Sequence, residues 1–165
     1  MIIFDASTLI LLAKADLLDA VLGSGIGTVL IPTEVEAECG ARESLDALLI
    51  GQAIREQRII VRRLALRKLC DRIRADCALG KGEAAAIALA VAAKAGIVGI
   101  DDQHGINACK LLKVPFTTAI GILIVLREKQ LIDRQRAIST LDTLARHGRY
   151  KAKIIQDARA QLEGL

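Results

Sequence analysis

The sequence predicts a three-layer α/β/α sandwich around a central parallel sheet. Short apolar or β-branched runs at Met1 to Phe4, Thr28 to Ile31, Arg58 to Arg63, Ile97 to Ile100 and Val114 to Thr117 alternate with longer segments of helical periodicity. Strands that alternate with helices build a parallel sheet covered on both faces. The 165 residues are enough for one well-cored domain and few for two. No repeat, low-complexity tract or Pro/Gly/Ser-rich linker divides them. One domain over 1–165 is therefore expected, closing with helices from about residue 133.

The elements follow in order. The first strand runs into Asp5-Ala6-Ser7-Thr8, side chains suited to capping a helix directed toward Leu18 and Leu22. After the second strand, Pro32 suits the first turn of a helix reaching about Cys39, where its missing N–H costs nothing. Glu43 to Gln57 has helical spacing. Leu64 to Cys77 reads as an amphipathic helix with a basic outer face, separated by Gly80-Lys81-Gly82 from an Ala-rich helix that starts at Glu83. In that helix Ile87 and Val91 share one face, and the alanines permit close packing. A helix follows Asp101-Asp102 through Leu112, and helices over Ala119 to Lys129, Asp133 to Arg146 and Tyr150 to Leu162 complete the chain.

Composition narrows the function. With two Phe, one Tyr and no Trp, the core must be Leu, Ile, Val and Ala, and base stacking on aromatic platforms is not the expected mode of nucleic-acid binding. Apolar stretches such as Ala84 to Ala93 and Ala119 to Leu126 end at Lys94 and Arg127, well short of the ~20 residues that span a bilayer. No membrane span is expected. Asp5 directly after three apolar residues, without a basic leader, points to a cytoplasmic protein. Cys39, Cys70, Cys77 and Cys109 are widely spaced, with only His104 and His147 as companions, which suits reduced thiols rather than a zinc site. A net charge of +4 mildly favours a polyanionic partner.

The chemistry is expected beyond the carboxyl ends of the strands, where open parallel sheets gather their functional residues. Asp5 closes the first strand and Asp101 follows the fourth, with Asp102 beside it. Glu83 opens a helix and Glu38 lies in the helix after the second strand, so both can face the same edge. Singly, each has a plain structural role, since an acid after a strand caps a helix and an acid in a first turn complements the helix dipole. Together they repel one another and raise their pKa values unless a cation neutralises them. Oxygen-only ligation selects Mg²⁺ or Mn²⁺ over zinc. Among Glu34, Glu36 and Glu38, the first and last share a helix face and the middle one points away.

Two basic groups are candidates for contact with an RNA backbone. Arg67 and Arg74 lie two turns apart on one helix face within Arg58, Arg62, Arg63, Arg67, Lys68, Arg72 and Arg74; Arg146, Arg149, Lys151 and Lys153 surround Gly148. Either group is also compatible with a solvated face. Gly23-Ser24-Gly25-Ile26-Gly27 precedes a strand instead of joining a strand to a helix, and no G-x-x-x-x-G-K-[ST] is present, so a nucleotide loop is not indicated. An Asp-based phosphotransfer enzyme usually has a second Asp where this chain has Ser7.

Four motifs in order resemble the PIN-domain family: I-I-F-D-A-S-T-L-I-L-L-A-K at the N-terminus, P-T-E-V-E-A-E at Pro32 to Glu38, G-K-G-E-A-A-A-I-A-L-A at Gly80 to Ala90 and G-I-D-D at Gly99 to Asp102. The tail L-A-R-H-G-R-Y-K-A-K resembles the DUF3368 branch, so the resemblance covers nearly the whole chain. It implies a Mg²⁺- or Mn²⁺-dependent ribonuclease of single-stranded RNA, often the toxin of a VapC-type pair, with an antitoxin protein as partner and a homodimeric assembly. By position, Asp5, Glu38, Glu83 and Asp101 match the family's four acidic residues, and Ser7 matches the hydroxyl two residues after the first Asp. The resemblance implies Asp5 and Asp101 as metal ligands, Glu83 as a ligand or water-orienting group, Ser7 as a hydrogen-bond support, and products with 5′-phosphate and 3′-hydroxyl ends. Many toxin members carry Asp where this chain has Glu83, and Thr at Asp101 or a neighbour, which leaves Asp101 and Asp102 as alternative ligands. The alternative reading is a weakly active or inactive PIN-like module that binds RNA or protein.

Overall fold

The computed structural model describes residues 1–165 except Leu64, Leu66, Lys94 and Ala95. Five parallel strands form one sheet in the order β3-β2-β1-β4-β5. They are β1 (Ile2–Phe4), β2 (Val29–Pro32), β3 (Ile59–Arg62), β4 (Ile97–Gly99) and β5 (Phe116–Thr117). The connecting helices are α1 (Ala6–Lys14), α2 (Leu18–Gly23), α3 (Thr33–Cys39), α4 (Leu45–Arg55), α5 (Arg67–Cys77), α6 (Lys81–Ala93), α7 (Gln103–Leu111) and α8 (Ala119–Glu128). Two further helices, α9 (Arg134–His147) and α10 (Ala152–Gly164), end the chain. The expected three-layer α/β/α architecture is the one found.

Strand alternation divides the core. Ile2, Phe4, Val29, Ile31 and Ile59 pack on one side with α1, α2, α4, α8, α9 and α10, whereas Ile3, Leu30 and Val98 pack on the other with α5, α6 and α7. Both faces of β1 and β2 are apolar because both are covered. α6 shows the same logic in a helix. Gly82, Ala84, Ala85, Ala86, Ile87, Ala88 and Ala90 are all buried, so it is enclosed nearly all round between α3, α5 and the sheet. Ile87 is fully buried but Val91 is 37% exposed, so the shared face read from the sequence runs out before its second turn.

Three local expectations need correcting. The first helix is two: Asp16 takes φ 56°, a left-handed conformation that Asp tolerates, and the chain turns before α2. Pro32 is the N-cap of α3 and the last residue of β2, one position ahead of the first helical turn. Gly80-Lys81-Gly82 is not a clean break, because α6 starts at Lys81 and its first turn is held by two carboxylates described below. The basic helix is seen from Arg67; its expected start at Leu64 lies outside the described residues. No described helix is long and apolar enough to cross a membrane.

Candidate active site

The strand order reverses direction at β1: β2 and β3 lie to one side, β4 and β5 to the other. At such a switch point the loops diverge and leave a crevice beyond the strand ends. Phe4 pairs with Gly99, and the Asp5 N–H donates to the Gly99 carbonyl at 3.1 Å, so Asp5 and Asp101 emerge side by side at that crevice.

Asp5 caps α1. Its Oδ1 accepts from the Thr8 N–H at 2.8 Å, and its Oδ2 accepts from the Ser7 hydroxyl at 2.6 Å. The residue is completely buried. Burial pushes its pKa from 3.8 up to about 7; the Ser7 and Thr8 bonds oppose the rise and the neighbouring Asp101 adds to it. Asp101 accepts from the Ala119 N–H at 3.0 and 3.2 Å, and from the Tyr150 hydroxyl at 2.5 Å. Its pKa is also raised by burial, against those same hydrogen bonds. The Thr8 hydroxyl is buried and lies close enough to lower both carboxyl pKa values. It nevertheless meets hydrogen-bond geometry with neither, and has no partner among the described residues.

A second acidic group adjoins this pair. Glu38 at the end of α3 accepts the Gly82 N–H at 2.9 Å across 44 residues of sequence. A Cβ at position 82 would lie 2.7 Å from Glu38 Oε2, so a larger residue there would make the Glu38 carboxylate move aside. Glu83 reaches back to accept the Gly80 N–H at 2.8 Å. Burial raises its pKa, the Gly80 bond lowers it, and the charges of Asp102 and Glu38 raise it further. Asp102 caps α7 by accepting from the His104 and Gly105 N–H groups at 2.8 and 3.4 Å. Cys39 links the groups: burial first, then the charges of Asp5 and Glu38, push its thiol up to about 12.

The expected acids thus gather at one sheet edge in two sets, Asp5 with Asp101 and Glu38 with Glu83 and Asp102. Among the described residues no three His, Cys, Asp or Glu side chains converge as a finished ligand set. The donors still fit a hard cation. One buried and one half-buried carboxylate, both raised by desolvation and one of them also by its neighbour's charge, together with a hydroxyl that has no partner among the described residues, make an oxygen-only environment that a positive charge would relieve.

The model of the PIN-domain family DUF3368 matches residues 1–163. The chain belongs to that family. No curated protein and no solved structure matches it. PIN domains are generally nucleases and typically use divalent metals. In this PIN domain Ser7 holds Asp5, as its position in the motif implies. Arg149 and Lys151 are exposed and flank, in sequence, the Tyr150 that bonds Asp101. Arg67 and Arg74 line a pocket next to Glu34.

Sequence reasoning missed Tyr150 and Thr8. Tyr150 is the only tyrosine in the chain and sits between two cations, a signal that was available. Thr8 had none, because a hydroxyl in a helix cap is ordinarily spent on the backbone.

Proposed function

We propose that this PIN domain is a metal-dependent endoribonuclease that hydrolyses single-stranded RNA. The observation that supports it most is the adjacent pair of buried Asp5 and half-buried Asp101 at the switch point, beside a hydroxyl that has no partner among the described residues. Asp5 and Asp101 would hold the cation, with Glu38, Glu83 and Asp102 as the further acids of the same edge. Bound Mg²⁺ or Mn²⁺ supplies a water of lowered pKa and offsets charge on the attacked phosphate. The protein's own share is orientation. Ser7 and the Thr8 N–H fix the two oxygens of Asp5, and the Ala119 N–H and Tyr150 fix Asp101, so neither carboxylate must be ordered when substrate arrives. Glu38 and Glu83 each use one oxygen on backbone N–H groups and keep the other for a ligand or a water proton.

The test is cleavage of an end-labelled single-stranded RNA with and without Mn²⁺, wild type beside Asp5→Asn. Metal-dependent cleavage with 5′-phosphate ends, lost in the variant, is expected; activity that survives Asp5→Asn would remove this centre from the reaction. A finer reading, a toxin restrained by an antitoxin protein, predicts growth arrest on expression of the wild type and none with Asp5→Asn. Homodimerisation is read from the family and is tested by sedimentation. One observation favours the alternative of RNA binding without cutting: Tyr150 occupies Asp101 Oδ1. That alternative predicts binding of RNA by the wild type with no metal-dependent cleavage.

A further inference from the structure

A second feature lies against the acidic edge. Between α3, α5 and α6 is a pocket of about 320 Å³ lined by Glu34, Arg67, Cys70, Asp71, Arg74 and Lys81. Three of the six are cations, drawn from two helices, and all three are exposed. Arg67 and Arg74 reach it together because seven residues make two helical turns. Lys81 joins them because α6 packs on α5. Among the described residues none of the three is in a salt bridge, although Arg72 on the same helix pairs with Asp76 and two acids line the pocket itself. Cations left unpaired beside available carboxylates are poised for an anion from outside.

The position of the pocket identifies that anion. Lys81 directly precedes Gly82, whose N–H is held by Glu38, and Glu34 on the pocket wall is one turn before Glu38. The pocket is therefore joined to the acidic set through neighbouring residues of α3 and α6. We infer that Arg67, Arg74 and Lys81 form a subsite for a phosphate of single-stranded RNA flanking the bond presented to the carboxylates. The subsite rests on the ribonuclease reading for its substrate. It makes a separate demand, that phosphate recognition be concentrated in this pocket and not spread over the basic face of α5.

The experiment measures binding of a labelled single-stranded RNA, without metal, over a series of salt concentrations. The proteins are the wild type, Arg67→Gln, Arg74→Gln, Lys81→Gln, Arg72→Gln and Asp5→Asn. Each pocket variant is expected to lower the slope of log affinity against log salt by about 0.7, the value of one lost phosphate contact on a single strand, with Arg72→Gln unchanged. Inorganic phosphate should compete with RNA on the wild type more effectively than on Lys81→Gln. An unchanged slope in the pocket variants, or an equal drop in Arg72→Gln, would overturn the subsite. Asp5→Asn separates the two ideas. If it still cleaves RNA the nuclease assignment fails while the binding slopes still judge the pocket; if it is inert and the slopes do not move, the pocket alone fails. Circular dichroism melts of each variant confirm folding, and Lys81→Arg should restore the slope if charge at that position is what matters.

Discussion

Tyr150 donates a 2.5 Å hydrogen bond to Oδ1 of Asp101 from 49 residues further along the chain. The ring is held by close packing: a Cβ on Gly148 would fall 2.2 Å from Tyr150 Cε2, so only glycine lets the turn before α10 fold over the aromatic. The C-terminal helix is thereby tied to the switch point of the sheet.

Tyr150→Phe keeps the ring and removes this one bond. A hydrogen bond to a charged or part-charged group contributes about 1.5 to 3 kcal/mol, so the melting temperature should fall by roughly 3 to 10 °C. Stabilisation by Mn²⁺ should increase at the same time, because Oδ1 is released. An unaltered melting temperature would mean that the bond contributes nothing in solution.

Asp5 makes the metal-free protein pH-sensitive. Its folded pKa of about 7 is above the unfolded 3.8, so the neutral carboxyl favours folding at low pH and that contribution is lost as pH rises through about 7. Melting temperature should decline between about pH 4 and pH 7, and Asp5→Asn should flatten the decline and raise stability at pH 8 by on the order of 5 °C. A profile with the same slope in both proteins would contradict the assignment.

Metal binding must displace the Asp5 proton. The thermal shift produced by Mn²⁺ should therefore be small at pH 6 and larger at pH 8. Asp101→Asn should blunt the shift strongly. Asp102→Asn should blunt it less, since Asp102 is committed to capping α7, a role Asn fills equally well. The reverse ranking would move the ligand to Asp102.

The three glutamates of α3 should separate. Glu38→Gln retains an acceptor for the Gly82 N–H and should fold normally while losing metal-dependent cleavage. Glu34→Gln removes a first-turn charge of ~0.3 to 1 kcal/mol and should keep cleavage. Glu36, expected from the sequence to be silent, is also in the first turn, so Glu36→Gln should cost a similar ~0.3 to 1 kcal/mol and keep cleavage. Cleavage rates and melts of the three variants decide this, and an active Glu38→Gln enzyme would discard Glu38.

Gly82→Ala should drive the exposed Glu38 carboxylate from its place, at a cost of about 0.5 to 1.5 kcal/mol for the lost bond to the residue 82 N–H. Adding Glu38→Ala should cost little more, because that bond is already gone. Additive losses in the double variant would show that the two residues do not share the space.

The sheet and the order of elements were legible because both signals are periodic: buried strands read as apolar runs, and helices as 3.6-residue spacing. The positions of Asp5 and Asp101 followed from the rule about strand ends, since it depends on topology and not on detail. Other features depend on contacts that no local pattern encodes. Lys81 lines a pocket with Arg67 and Arg74 only because α6 lies on α5, and Tyr150 meets Asp101 only because α10 folds back. The split at Asp16 hid because Asp is also an ordinary helix-surface residue. Its carboxylate and carbonyl instead accept from Arg136 on α9, which secures the corner.

The braced carboxylate pair draws on residue 5 and residue 150, far apart in the sequence. Translation at about 5 to 20 residues per second separates them by roughly 7 to 30 s. Through that interval a growing chain carries Asp5 and then Asp101 without the hydroxyl that fixes Asp101. The support of Asp101 is thus assembled late: until residue 150 has been made, a growing chain holds Asp101 without its Tyr150 bond.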